Sequence, residues 1–179
     1  MTLDKASSTV RRFFAGVAEY IFQAELGVVD PPLVDYLTDM LIRFLRMDVV
    51  HKVRALNGKP VLQVADMVAE ANERLGDARR AVHQHIGDYT LFWAGLYPET
   101  LRKLKNQHTK DHFVDYCSQG KRAYLIASTI ESSQQQDVPA EVLTRLSEQF
   151  EMCAYGLREV RREWERRDDD GRRSSILLV

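Results

Sequence analysis

Apolar residues along this chain recur every three or four positions, and no stretch alternates with period two for long enough to suggest a strand, so the pattern predicts helices. Phe13, Phe14, Val17, Ala18, Ile21 and Phe22 mark a first helix over roughly residues 8–27, with Ser8 as its N-cap and Gly27 as its stop. Its other face carries Ala15 and Gly16, small enough for a neighbouring backbone to approach. Asp30-Pro31-Pro32 opens the second helix, because an Asp accepts orphan amide bonds and a Pro in the first turn has no N–H to leave unpaired. That helix buries Leu33, Leu37, Met40, Leu41, Phe44 and Leu45 and points towards His51; Asp35, Asp39, Arg43 and Arg46 fall on a solvated face, with Asp39 and Arg43 at favourable i, i+4 spacing.

After a turn at Asn57-Gly58-Lys59-Pro60, Leu62, Ala65, Val68 and Ala69 suggest a short third helix closing near Gly76. Asp77 caps a fourth, whose stripe is Val82, His85, Ile86, Tyr89, Phe92, Trp93 and Leu96. Tyr97-Pro98-Glu99 starts a fifth, and residues 105–112 hold no apolar side chain and separate it from a sixth. The sixth buries Phe113, Tyr116, Cys117, Gly120, Tyr124 and Ala127; a mid-helix glycine costs about 1 kcal/mol against alanine, so Gly120 signals a close neighbour. The polar run from Glu131 to Gln136 reads as a loop.

The last segment has the sharpest pattern. Leu143, Leu146, Phe150, Cys153, Leu157, Val160 and Trp164 alternate three- and four-residue steps, which is an a/d seam. As one helix from Asp137-Val138-Pro139 to residue 167 it would run roughly 45 Å at about 1.5 Å per residue. A compact domain of this size is only about 40 Å across, so the Arg/Glu-rich end is expected to project. The fold expected is therefore all-α: a helical bundle of six to seven helices with a long C-terminal amphipathic helix. Residues 7–167 form one domain, and 168–179 a flexible charged tail with an apolar end.

Composition narrows the function classes. The chain has 179 residues, 45% hydrophobic and 28% charged, which suits one globular domain needing neither disulfide nor metal to fold. Lys plus Arg number 25 against 26 Asp plus Glu, a net charge of -1, so the basic excess of a phosphate-contacting nucleic-acid binder is missing. Cys117 and Cys153 both sit in apolar stripes, as free buried thiols of a reducing, cytoplasmic setting do. The N-terminus lacks a signal-peptide pattern, and no apolar run is long enough to cross a membrane.

Four constellations are candidates for chemistry. His108, Asp111, His112 and Asp115 are spaced i, i+3, i+4, i+7, so a helix would place two imidazoles and two carboxylates on one face, a donor set for a divalent metal; the plain alternative is a polar helix start capped by Asp111. His85 and Asp88 lie one turn apart beside Tyr89 and Trp93, and an apolar-stripe histidine with a carboxylate and a phenol can form an acid–base dyad or half a metal site, or can simply be a bonded core histidine. Glu19 and Glu25 lack the Glu-x-x-His partner that helical di-iron sites use. Leu177 and Val179 end the chain as a tail that a carboxylate-binding groove could accept by strand addition. Phosphate-loop, dinucleotide, nucleophile-elbow and Cys-x-x-Cys motifs are absent.

The sequence thus favours a soluble helical interaction or assembly protein without catalytic activity. It would act through a protein partner or through self-association, with an isologous homodimer as the default. The rival is a helical-bundle enzyme or ligand-binding protein with a pocket at His85, Asp88 and Tyr89, metal-dependent if His51 or His112 joins it. A third reading lays Phe13, Phe14, Ile21 and Phe22 on a membrane surface, with Arg11 and Arg12 at headgroups.

Overall fold

A computed structural model of the chain describes residues 2–45, 62–104, 111, 114–135 and 137–169. The described residues are all-α, with no strand among them: α1 (Thr2–Glu19), α2 (Pro31–Leu45), α3 (Val64–Asn72), α4 (Gly76–Leu96), α5 (Pro98–Leu104), α6 (Tyr116–Thr129), α7 (Ala140–Glu148) and α8 (Phe150–Asp169). One buried apolar cluster runs from Phe14 to Trp164. The Asn57–Pro60 turn, His51, Arg46, Phe113 and residues 170–179 lie outside the described residues.

The centre of the bundle is α4, which packs against α2, α3, α5, α6 and α8. A helix covered on every side is expected to lose its polar face, and α4 is buried over most of its length. The polar residues it retains, Arg80, His83, His85 and Asp88, are therefore interior groups. Glycines set the closest crossing. A Cβ on Gly87 would fall 2.6 Å from the Tyr124 ring, and one on Gly120 would fall 2.4 Å from Phe150 and from the Thr90 hydroxyl. Matching 87 with 124 and 90 with 120 makes α4 and α6 antiparallel, and it gives Gly120 the close neighbour that its mid-helix position implies.

The C-terminal seam is wholly interior: Leu143, Leu146, Phe150, Cys153, Leu157, Val160 and Trp164 are all buried. It is not one straight rod. The chain bends at Gln149 (φ -110°, ψ 25°), between α7 and α8, while the Gln149 amide still reaches Arg145 O at 2.8 Å and the Cys153 amide reaches Gln149 O at 2.9 Å. The bend follows from two different anchors. The Ser147 hydroxyl donates to the Lys121 carbonyl (2.8 Å) and ties α7 to α6. Beyond the bend, Gly156 sits under the Phe22 ring and Gly95 of α4 under Leu157. The far end does not project freely either, because Trp164 meets Phe14 edge-on (5.2 Å) and Arg167 lies over the Phe13 ring (5.7 Å). The seam is thus occupied by the chain's own core and leaves no surface for a coiled-coil partner.

Several local expectations shift for similar reasons. α1 starts before Ser8, and beyond Glu19 its last turns widen into a π-helix (Tyr20–Glu25). Leu26 N returns to Ile21 O there (3.0 Å), and Gly27 takes the left-handed φ of 67° that ends the helix. Phe14, Ile21 and Phe22 are buried in the bundle, so the apolar face of α1 is core and not a membrane face. No described helix is long and apolar enough to cross a membrane. α3 buries Val64, Met67 and Ala71, whereas Leu62 is exposed. Asp39 pairs with Arg11 of α1 (2.7 Å) and Arg43 with Asp88 of α4 (3.1 Å); tertiary partners have displaced the i, i+4 pair. Asp30 caps α2 through the Leu33 amide (3.2 Å) and also binds Arg145 of α7 (2.7 Å).

Candidate functional site

Asp88 lies mid-way along α4, 5% exposed. It receives the Tyr36 hydroxyl from α2 at 2.5 Å and the Tyr124 hydroxyl from α6 at 2.8 Å, both on Oδ1, and Arg43 of α2 on Oδ2 at 3.1 Å. Gln84, one turn before Asp88, donates to the Tyr36 hydroxyl (3.1 Å), and the Arg43 guanidinium rests over the Tyr36 ring (5.6 Å). Helical spacing explains the assembly: Tyr36 and Arg43 are seven residues apart on one face of α2, and Gln84 and Asp88 four apart on α4. Burial, reinforced by the Asp88 charge, holds both phenols well above their ordinary pKa. They therefore remain protonated donors, and three helices are joined at one carboxylate.

His85 is almost completely buried (1%) and stacks on Phe44 (5.8 Å, 15°), with Tyr89 6.2 Å away. Tyr89 is buried too, and burial followed by the Asp111 charge pushes its phenol up to about 12. The three candidates thus share α4, but the bonds recorded for Asp88 come from α2 and α6, while His85 and Tyr89 belong to an aromatic layer with Phe44, Phe92 and Trp93.

Of the metal candidates, His108 and His112 lie outside the described residues. Asp111 accepts the Val64 amide (3.2 Å), the Ala65 amide (3.3 Å) and the Tyr116 hydroxyl (2.9 Å). It caps α3 from a distant part of the sequence, where the local N-cap residue, Gln63, makes no side-chain capping bond. Asp115 is the N-cap of α6, accepting from Cys117 N, Ser118 N and the Ser118 hydroxyl. Among the described residues no three His, Cys, Asp or Glu side chains are grouped to hold a metal. Glu19 and Glu25 are exposed. Leu177 and Val179 fall outside the described residues.

A different region offers a concave surface. Where α5 meets the second half of α8, a cleft of about 290 Å³ is lined by Leu96, Pro98, Glu99, Arg102, Arg158, Arg161, Arg162 and Glu165. Arg161 braces it. Its guanidinium bonds Glu99 and Glu165 (2.7 Å each) and the Leu96 carbonyl, and lies over the Tyr97 ring (4.7 Å). Although burial pushes the Glu99 carboxyl up, the Arg161 bond outweighs it and holds the group below the usual carboxylate range. Arg162 is paired with Glu159 (2.7 Å). Arg102 and Arg158 form no ion pair among the described residues, and Arg158 Nε is buried there without a hydrogen-bond acceptor. The cleft therefore carries two guanidinium groups outside its internal ion pairs, while Arg161 is shared by two carboxylates. Its signal in the sequence was the spacing of Arg158, Arg161, Arg162 and Glu165, i, i+3, i+4, i+7 on one face of α8; the contribution of α5 is a tertiary contact that periodicity does not reveal. No protein family matches the chain, and neither the curated proteins nor the solved structures contain a significant match.

Proposed function

We propose that the protein is a non-catalytic binding protein of helical fold, and that the cleft between α5 and α8 recognises an anionic group on its binding partner. One observation carries this reading: Arg102 and Arg158 line a concave surface without carboxylate partners among the described residues, and Arg158 Nε is shielded from water. The planar guanidinium fork also matches carboxylate and phosphate oxygens. The association expected from the sequence is thereby moved from the seam, which is interior, to the charged end of α8. An acid–base role for His85, Asp88 and Tyr89 has less support, because the Asp88 carboxylate already accepts two phenols and a guanidinium.

The test is thermal denaturation of the full chain against a panel of small anions at fixed ionic strength. An anion at one hundred times its dissociation constant adds about 2.7 kcal/mol, roughly 5–10 °C in Tm for a chain of this length. Arg158→Ala and Arg102→Ala should each remove most of that rise without lowering the ligand-free Tm by more than a few degrees. A panel with no rise beyond the chloride control would overturn the reading.

A further inference from the structure

We infer that the crossing of α4 and α6 holds a second ligand site, separate from the cleft, in which Arg79, His83 and Arg122 bind an oxyanion. The placement follows from helical spacing. Arg79, His83 and Gly87 recur every four residues along α4, and Gly87 meets the Tyr124 ring of α6. His83 therefore lies on the face of α4 that α6 covers, with Arg79 one turn before it. Arg122 approaches from α6, two residues before Tyr124. His83 is buried (4% exposed), whereas Arg79 is only partly buried and Arg122 is exposed, so the cluster opens to solvent at its Arg122 edge.

Hydrogen bonding and charge set this cluster apart from the other interior polar groups. His83 Nε2 and Arg79 Nε are shielded from water and have no hydrogen-bond partner. Neither arginine has an ion pair among the described residues. The charges that act on His83 are those of Arg79 on its own helix and Arg122 on α6; after burial itself, they disfavour the protonated ring. The carboxylates at this end of α4 are occupied elsewhere: Asp77 accepts the Ser133 amide and hydroxyl, and Asp137 accepts Arg80. Three basic side chains from two helices thus meet with no acid acting on the histidine. They present donors from different directions, which a ligand with several acceptor oxygens can satisfy and a halide cannot. A bound oxyanion also reverses the field at His83 and favours the imidazolium, whose two ring nitrogens both donate.

Sulfate is the probe, because its charge does not change over the pH range used. The free ring titrates near 4; if the anion returns it to its ordinary value of about 6.5, linkage makes sulfate bind roughly tenfold more tightly at about pH 5.5 than at about pH 7.5. The cleft between α5 and α8 has no lining histidine, so cleft binding is read near neutral pH and this site on acidification. The experiment is nuclear magnetic resonance of the His83 ring in the full chain, in sulfate against chloride at equal ionic strength, with calorimetric titration of sulfate alongside. In sulfate the His83 midpoint should rise from about 4 towards about 6.5, and the tenfold gain in affinity should appear. Arg122→Gln, at an exposed position, should erase the difference between sulfate and chloride, and His83→Gln should remove the pH dependence of binding. In Arg158→Ala, which takes a guanidinium from the cleft, the His83 response should persist. The same His83 midpoint in both salts, or sulfate affinity that does not rise at pH 5.5, would overturn the inference and leave the cleft to its own test. A His83 response lost in Arg158→Ala would overturn it as a separate site.

Discussion

Replacing Asp88 tests whether the buried cluster around its carboxylate serves stability. In Asp88→Ala the Tyr124 hydroxyl, fully buried, loses its acceptor, and the Tyr36 proton loses its acceptor although Gln84 still donates to that oxygen. Arg43, with 40% of its side chain exposed, can turn to water. Two buried hydroxyls without acceptors at about 1–3 kcal/mol each, together with the small void left by the carboxylate, give a loss of roughly 3–5 kcal/mol, the range for removing one partner of a buried pair. Asp88→Asn keeps one oxygen able to accept both phenols but loses the ion pair with Arg43, and should lose only about 1–2 kcal/mol. The assay is urea unfolding followed by circular dichroism, with an unchanged m-value as the check that both states stay comparable. The Ala variant should also melt roughly 6–20 °C lower, at about 2–4 °C per kcal/mol. A catalytic carboxylate behaves differently, since replacing a functional residue is commonly neutral or stabilising. An Asp88→Ala protein within about 1 kcal/mol of the parent, or an Asp88→Asn protein more stable than it, would refute the reasoning.

Four further outcomes follow from the same structure. Gly120→Ala should destabilise by about 1–3 kcal/mol through overpacking against Phe150 and Thr90. Gly16→Ala, with nothing within 4 Å of the new methyl, should stabilise by about 0.4–1 kcal/mol; chemical denaturation of the pair reads both signs. Asp111→Ala should uncap α3 and leave the Tyr116 hydroxyl without its acceptor, costing about 2 kcal/mol, and hydrogen exchange should quicken first at the amides of Val64 and Ala65. Burial, then the charges of Arg79 and Arg122, lowers the His83 pKa to about 4, so the unfolded chain binds the extra proton between about pH 4 and 6.5. Stability should therefore be undiminished above that window and fall by roughly 2–3 kcal/mol on acidification through it. His83→Gln should flatten this slope in urea titrations near pH 7.5 and pH 5, and an unaltered slope would remove His83 as its source.

What could be read from the sequence was local. The Asp30-Pro31-Pro32 start, the Gly27 stop, the stripe of α4 and the burial of the C-terminal seam all follow from spacing and capping within one element, and each is found in the structure. What escaped depends on contacts between elements. Spacing assigns Arg43 to a solvated face, yet it bonds Asp88 from 45 residues away, and Tyr36, outside the apolar stripe read from the sequence, bonds it from 52. Asp111 caps a helix 47 residues earlier in the chain. The bend at Gln149 arises because α7 and α8 answer to different neighbours, which a regular heptad pattern cannot express. For the cleft, the α8 half was present as a run of arginines at helical spacing; only the fold brings Glu99 and Arg102 to face it.

The central claim is that the molecule meets its partner in the arginine-lined cleft. Amide-resolved nuclear magnetic resonance during a titration with the small anion that raises Tm most tests this most directly. The account predicts saturable shifts clustered at residues 96–104 and 157–166, lost in Arg158→Ala. Shifts clustered instead around Tyr36, Asp88 and Tyr124, or spread evenly over the surface, would contradict it.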